Sequence, residues 1–226
     1  DLIESELRIA HDIQMSIIPK IFPPFPDRDE FDLYAVLNPA RSVGGDLYDF
    51  FLTDEKSLCV AVGDVSGKGV PASLFMAITR TLLRTKAQNI RTSAGIADSI
   101  NADLCRDNEM AMFVTFFIAF IDIRTGRLEY TNAGHNRPYI VRKSGAVEVL
   151  GQTHGTPLGI SDEKYGADSI ILSTGDKVVL YTDGVTEAVN TMGELFGEDR
   201  LEKFLAKKHA DDVLDGGGMF LCEELL

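Results

Sequence analysis

The sequence predicts an α+β protein of mainly antiparallel sheets carrying helices on their outer faces. Short apolar runs recur in pairs about Gly-containing turns, which is the signature of hairpins. Helical segments interrupt those runs in pairs instead of alternating strand by strand, which argues against a doubly wound parallel sheet. The composition supports one globular domain of generous size, with 45% of the 226 residues hydrophobic and 25% charged.

The elements follow in order along the chain. Leu2, Ile3, Leu7, Ile9, Ala10, Ile13, Ile17 and Ile18 share one broad helical face, and Ile3, Ala10 and Ile17 repeat at heptad spacing. Pro19 and the run Phe22-Pro23-Pro24-Phe25-Pro26 end that helix and impose an extended connector. Leu33, Ala35 and Leu37 alternate as in a strand, Leu58 to Val62 form a short buried run, and Met112 to Ile123 pair across Arg124-Thr125-Gly126 with Leu128 to Thr131. Two further hairpins are expected, Tyr139–Val141 with Val147–Leu150 about Ser144-Gly145, and Ile170–Leu172 with Val178–Tyr181 about Gly175-Asp176. Pro71 opens a helix to about Lys86 that is expected to bury Leu74, Phe75, Ile78 and Leu82. Thr92 or Ser93 caps a second helix with Ile96, Ile100 and Leu104 on its apolar face, and a last helix is expected from Glu198 to Lys208.

Charge and cysteine usage exclude several classes of function. A formal net charge of −13, from 22 basic against 35 acidic residues, is the wrong sign for binding nucleic acid or anionic lipid. Cys59, Cys105 and Cys222 are too widely spaced for a zinc knuckle or a disulfide framework, so a reducing, cytoplasmic setting is expected. No run approaches the roughly 20 apolar residues of a membrane span, and no basic signal sequence opens the chain.

Three aspartates stand where packing alone does not call for them. Asp46 follows Gly44-Gly45 and enters an apolar strand, Asp64 lies in Gly63-Asp64-Val65-Ser66-Gly67-Lys68-Gly69 at the exit of a buried strand, and Asp183 lies in Tyr181-Thr182-Asp183-Gly184. Clustered carboxylates need protons, basic partners or divalent cations, and oxygen donors without a Cys or His cluster suit Mg²⁺ or Mn²⁺. Taken singly, Asp183-Gly184 also reads as a hairpin turn and Asp64 as a loop cap. Gly63 to Gly69 is not a nucleotide phosphate loop, because its spacing is one residue short and no Ser or Thr follows Lys68. Ser66 lacks the context of a nucleophile.

Five segments in order, Gly44–Phe50, Gly63–Gly69, Asn132-Ala133-Gly134-His135-Asn136, Thr156-Pro157-Leu158-Gly159 and Tyr181–Glu187, resemble the motif series of the type 2C metal-dependent Ser/Thr phosphatases. They are most similar to the bacterial branch that includes the stage II sporulation protein E and stress sigma-factor regulatory phosphatases. Arg8 to Pro19, with Ile13-Gln14, resembles the helix that joins an upstream sensor to the phosphatase domain in that branch. The resemblance implies an αββα sandwich, with residues 1–20 as a linker or switch helix and 21–226 as the phosphatase domain.

The same resemblance implies that Asp64 bridges two Mn²⁺ or Mg²⁺ ions, with the Val65 carbonyl as an adjacent ligand, Asp46 as the carboxylate of the first motif and Asp183 as a ligand of one ion. Water activated by the two ions then attacks a phosphomonoester in line, with no protein nucleophile. Arg41 lies where a cation receives the phosphate, or is an exposed loop arginine. Asp49 is structural or supports the ligands from behind. His135 either stabilises its turn or serves as an acid, and is not assigned to the site.

The implied substrate is phosphoserine or phosphothreonine on a small anti-sigma-factor antagonist. The implied partners are an upstream sensor or receiver domain and a second copy joined through the N-terminal helix. The alternative is a degenerate domain that binds a phosphoprotein without hydrolysing it. That alternative draws on Ala210-Asp211-Asp212-Val213, which departs from the family's closing strand and is followed by Gly216-Gly217-Gly218, so a terminal metal ligand is absent or atypical.

Overall fold

The computed structural model describes residues 2–39 and 42–215. Arg41 and the glycine run at 216–218 therefore lie outside the described residues. The chain divides into two compact units, the first formed by residues 1–20, 37–135 and 152–171, the second by 21–36, 136–151 and 172–226.

In the first unit, helix α1 (Leu2–Ile17) precedes the hairpin of β1 (Leu47–Asp54) and β2 (Ser57–Val65), helices α2 (Val70–Lys86) and α3 (Ser93–Cys105), and the hairpin of β3 (Val114–Asp122) and β4 (Arg127–Ala133). A five-stranded antiparallel sheet takes the order β1-β2-β3-β4-β7, where β7 is Asp168–Ile171 and the intervening β5 and β6 belong to the second unit. The central strand β3 is buried along most of its length because it is flanked by β2 and β4, and Phe116, Phe117 and Ile118 are fully inaccessible. Helix α2 packs on β1 and β2, and α3 packs on β3 and β4. Thr92 caps α3 by accepting a bond from the Gly95 amide, and Ile96, Ile100 and Leu104 are buried as expected.

Helix α2 presents a different face from the one its sequence suggests. Ala72, Met76, Thr79 and Leu83 are buried, whereas Leu74 and Ile78 are 61% and 51% exposed. The reason is electrostatic as well as steric. Asp49 on β1 has a fully buried carboxylate that accepts two charge-assisted bonds from Arg84, Nε to Oδ2 and Nη2 to Oδ1, each 2.6 Å. Arg80 approaches the same carboxylate, with Nε 3.2 Å from Oδ2. The helix is turned so that these arginines reach the sheet, and small residues let it come close. Asp49 is thus structural, tying β1 to α2.

The second unit contains β5 (Tyr139–Val141), β6 (Val147–Val149) and β8 (Lys177–Val179), a three-stranded antiparallel sheet in the order β6-β5-β8, with the short helix α4 (Asp183–Thr186) and the long helix α5 (Gly197–Asp215). Its core gathers Tyr139, Val141, Tyr181, Leu201 and Leu205.

Three expectations are corrected here. The runs about Gly175-Asp176 do not form a hairpin, because β7 pairs with β4 in one sheet and β8 with β5 in the other. The turn is real, fixed by the Asp176 carboxylate accepting from the Ser173 and Lys143 amides and from Arg142, but it carries the chain from one unit to the next. Leu33, Ala35 and Leu37 are in no strand, because alternation gives an extended backbone without a ladder partner among the described residues. Helix α5 runs past the expected end at Lys208 to Asp215, so Asp211-Asp212 is helical, in keeping with its departure from the family's closing strand.

Candidate metal centre

The β1–β2 hairpin positions the first pair of predicted ligands. Leu47 pairs with Gly63, so the register carried one step outward sets Asp46 opposite Asp64, on the same side of the sheet. Both are half-buried at the sheet's end. Gly45 is required there by close approach, since a Cβ at this residue would lie 2.8 Å from the Val65 carbonyl oxygen. The Val65 amide donates to the Gly45 carbonyl at 3.4 Å, which holds the segment before Asp46 against the segment after Asp64. The structure therefore brings Asp46, Asp64 and Val65 together. Asp183 is half-buried in the second unit at the first position of α4, where its carbonyl accepts from the Glu187 amide.

The loop before Asp46 is gripped from α1. Gln14, only 4% exposed, donates from Nε2 to the Gly44 carbonyl at 2.6 Å and accepts from the Gly44 amide at 3.1 Å. His11 donates from Nδ1 to the Ser42 carbonyl at 2.6 Å. Sequence reasoning passed over Gln14 as a contact, although a glutamine on the inward side of an amphipathic helix is the signal that could have found it. Ser66 is occupied structurally, its Oγ accepting from the Phe113 amide. The Thr156–Gly159 segment is fastened by Asn101, whose Oδ1 accepts from the Gly159 amide. Cys59 is fully buried, and desolvation first and the neighbouring Asp49 second push its thiol far up, so it is no nucleophile.

The donor set at this strand end consists of oxygen alone, which fits Mg²⁺ or Mn²⁺ and suits neither zinc nor a soft metal. Among the described residues no three His, Cys, Asp or Glu side chains gather closely enough to hold an ion by themselves. An ion here would draw on carbonyl and water oxygens beside the carboxylates, as hard cations that keep several waters do.

Antiparallel sheets with flanking helices in this arrangement are the fold of the PP2C-type phosphatases, shared with the SiaA-PP2C domain of Pseudomonas aeruginosa at a TM-score of 0.75 and 22% identity, covering 96% of this chain and 92% of that one. The chain belongs to the stage II sporulation protein E (SpoIIE) family, whose profile matches residues 54–217. It is 35% identical over 240 residues to Protein IcfG of Synechocystis, covering 93% of this chain and 37% of that protein. It is 29% identical over 205 residues to the phosphoserine phosphatase RsbU of Bacillus subtilis, covering 90% and 59%. The chain thus spans less than two thirds of either relative's length.

Proposed function

We propose that this chain is a Mg²⁺- or Mn²⁺-dependent phosphoprotein phosphatase acting on phosphoserine or phosphothreonine, with a small anti-sigma-factor antagonist as its substrate. The observation that carries the reading is the cross-strand placement of Asp46 and Asp64 beside Val65, in a chain of the SpoIIE family. Asp46, Asp64, the Val65 carbonyl and Asp183 are the proposed ligands of two divalent ions, and Arg41 is proposed to receive the phosphate. When bound, the ions supply a nucleophilic water near neutral pH and neutralise the phosphoryl oxygens. The chain's own part is to hold the oxygen donors still and to offer the substrate no competing nucleophile. RsbU's description as a phosphoserine phosphatase supports the choice of substrate. Phosphate release from a phosphoserine peptide in Mn²⁺ is expected to exceed that from the matching phosphotyrosine peptide by at least about 10-fold. Equal rates would remove the substrate assignment.

The helical state of Asp211-Asp212 favours one other reading, a domain that binds phosphoprotein without turnover. It predicts tight binding of the phosphoserine peptide with no phosphate released.

We place the protein in the cytoplasm, in a longer chain bearing an upstream sensor or receiver domain. No helix among the described residues is long and apolar enough to cross a membrane. Residues 1–20 are proposed as the switch helix and the site of homodimerisation. Its exposed apolar residues are Leu2, Ile3, Ile9 and Ile13, at 74%, 66%, 54% and 61%, so of the expected heptad Ile3 is exposed whereas Ala10 and Ile17 are partly covered. The Gln14 clamp on Gly44 supplies the coupling, since a displaced α1 moves the loop that leads into Asp46. Ile9→Glu is expected to lower the oligomer mass in light scattering and to change turnover by at least about threefold. If both match the parent, α1 is merely a packed edge.

A further inference from the structure

The segment carrying Asp64 is held by a hydrogen-bonded relay that crosses three strands. Asp64 on β2 pairs in register with Thr115 on β3, and His135 lies two residues past the end of β4, the strand on the other side of β3. Thr115 Oγ1 lies 3.3 Å from the Asp64 carbonyl oxygen and 2.9 Å from His135 Nδ1. A threonine hydroxyl has one proton, and a carbonyl can only accept. Both contacts are therefore made together only when the hydroxyl donates to Asp64 and His135 donates from Nδ1.

The backbone that carries the imidazole is fixed by Asn132. His135 is 3% exposed, its amide donates to Asn132 Oδ1 at 2.7 Å, and its carbonyl accepts from Asn132 Nδ2 at 3.0 Å. The relay ends on a peptide group with a special place in the site. The Asp64–Val65 peptide joins two proposed metal ligands, the Asp64 carboxylate and the Val65 carbonyl. Its oxygen is held by Thr115, and its nitrogen is held by Gly45 at 3.4 Å. That plane lies between the Cα atoms of Asp64 and Val65, so fixing it fixes the backbone from which both ligands project.

We infer that His135 and Thr115 are positioning residues for the metal centre, with His135 carrying its proton on Nδ1 and acting through the Thr115 hydroxyl on the Asp64–Val65 peptide. The inference rests on the proposed ligand roles of Asp64 and Val65. Outer groups that orient ligands change metal affinity by about 10- to 100-fold when removed. An asparagine at 135 offers a donor where Nδ1 stood, whereas a glutamine offers one where Nε2 stood, so the two variants separate the relay from mere space filling.

The test is Mn²⁺ titration by calorimetry on the parent chain and on His135→Asn, His135→Gln, Thr115→Ser and Thr115→Val, with metal-free melting of each. His135→Asn and Thr115→Ser are expected to stay within about threefold of the parent Kd, and His135→Gln and Thr115→Val to weaken it by at least about 10-fold. Imidazole ¹⁵N shifts of the parent are expected to show the proton on Nδ1, a readout that no variant's folding affects. A proton on Nε2, or parent-like Mn²⁺ binding by both His135→Gln and Thr115→Val, overturns the inference while leaving the ligand assignment standing. Failure of the parent to bind Mn²⁺ removes the ligand assignment and the inference with it.

Discussion

Asp64→Asn is expected to lower phosphatase turnover by at least about 100-fold while leaving the metal-free melting temperature within about 2 °C of the parent. Asparagine keeps the size and one carbonyl oxygen of aspartate but removes the charge and the second donor oxygen. Asp64 sits at the end of β2, half-buried and beside the close Gly45–Val65 approach, so the change falls on ion binding and not on the core. Asp183→Asn is expected to behave alike, because its side chain lies at the start of a four-residue helix and is not part of the second unit's apolar cluster. Parallel measurements of phosphate release and thermal melting check both. Parental turnover in either variant would remove that residue from the site.

Asp49→Asn carries the opposite signature. The carboxylate has no exposed surface and is engaged by Arg84 and Arg80, so neutralising it leaves two cations facing a group that answers neither charge. Breaking a buried pair costs about 3–5 kcal/mol, and the lower end applies because the Arg84 side chain is 41% exposed and can turn to water. At about 2–4 °C per kcal/mol for a domain of this size, the expected drop in melting temperature is about 6–12 °C. Denaturant unfolding should give the same loss with an unchanged slope. A variant within 0.5 kcal/mol of the parent, a bound set at about the scatter of neutral surface changes, would show that the helix is held by packing alone.

The strands that the sequence predicts and the structure contains are those whose signal is local. The hairpins about Gly126 and Gly145 are closed by neighbours in sequence, and both glycines adopt the positive φ that such turns favour. The expected hairpin about Gly175-Asp176 has the same local chemistry, yet its two strands join different sheets, a choice made by distant partners that a turn cannot encode. The inward face of α2 differs from the expected one for a related reason. Leu74 and Ile78 look like core by hydropathy, but the helix is oriented by a carboxylate some thirty residues earlier in the chain.

At the candidate site, the glycine–aspartate segments were legible because apolar strands rarely end in them without a reason. The groups that hold those segments were not legible as a set. Gln14 reaches Gly44 from a helix 30 residues away, and His135 is linked to the Asp64 carbonyl through Thr115 on a third strand. Each looks ordinary in its own stretch of sequence, and only the pairing of strands brings them to one place.

Metal-dependent phosphatase activity is tested most directly by hydrolysis of p-nitrophenyl phosphate by the purified chain, first stripped of metal with chelator and then supplied with Mn²⁺ or Mg²⁺. No turnover above background is expected in the stripped protein, with recovery on adding either ion and saturation at finite metal concentration. Undiminished turnover in excess chelator would contradict that dependence.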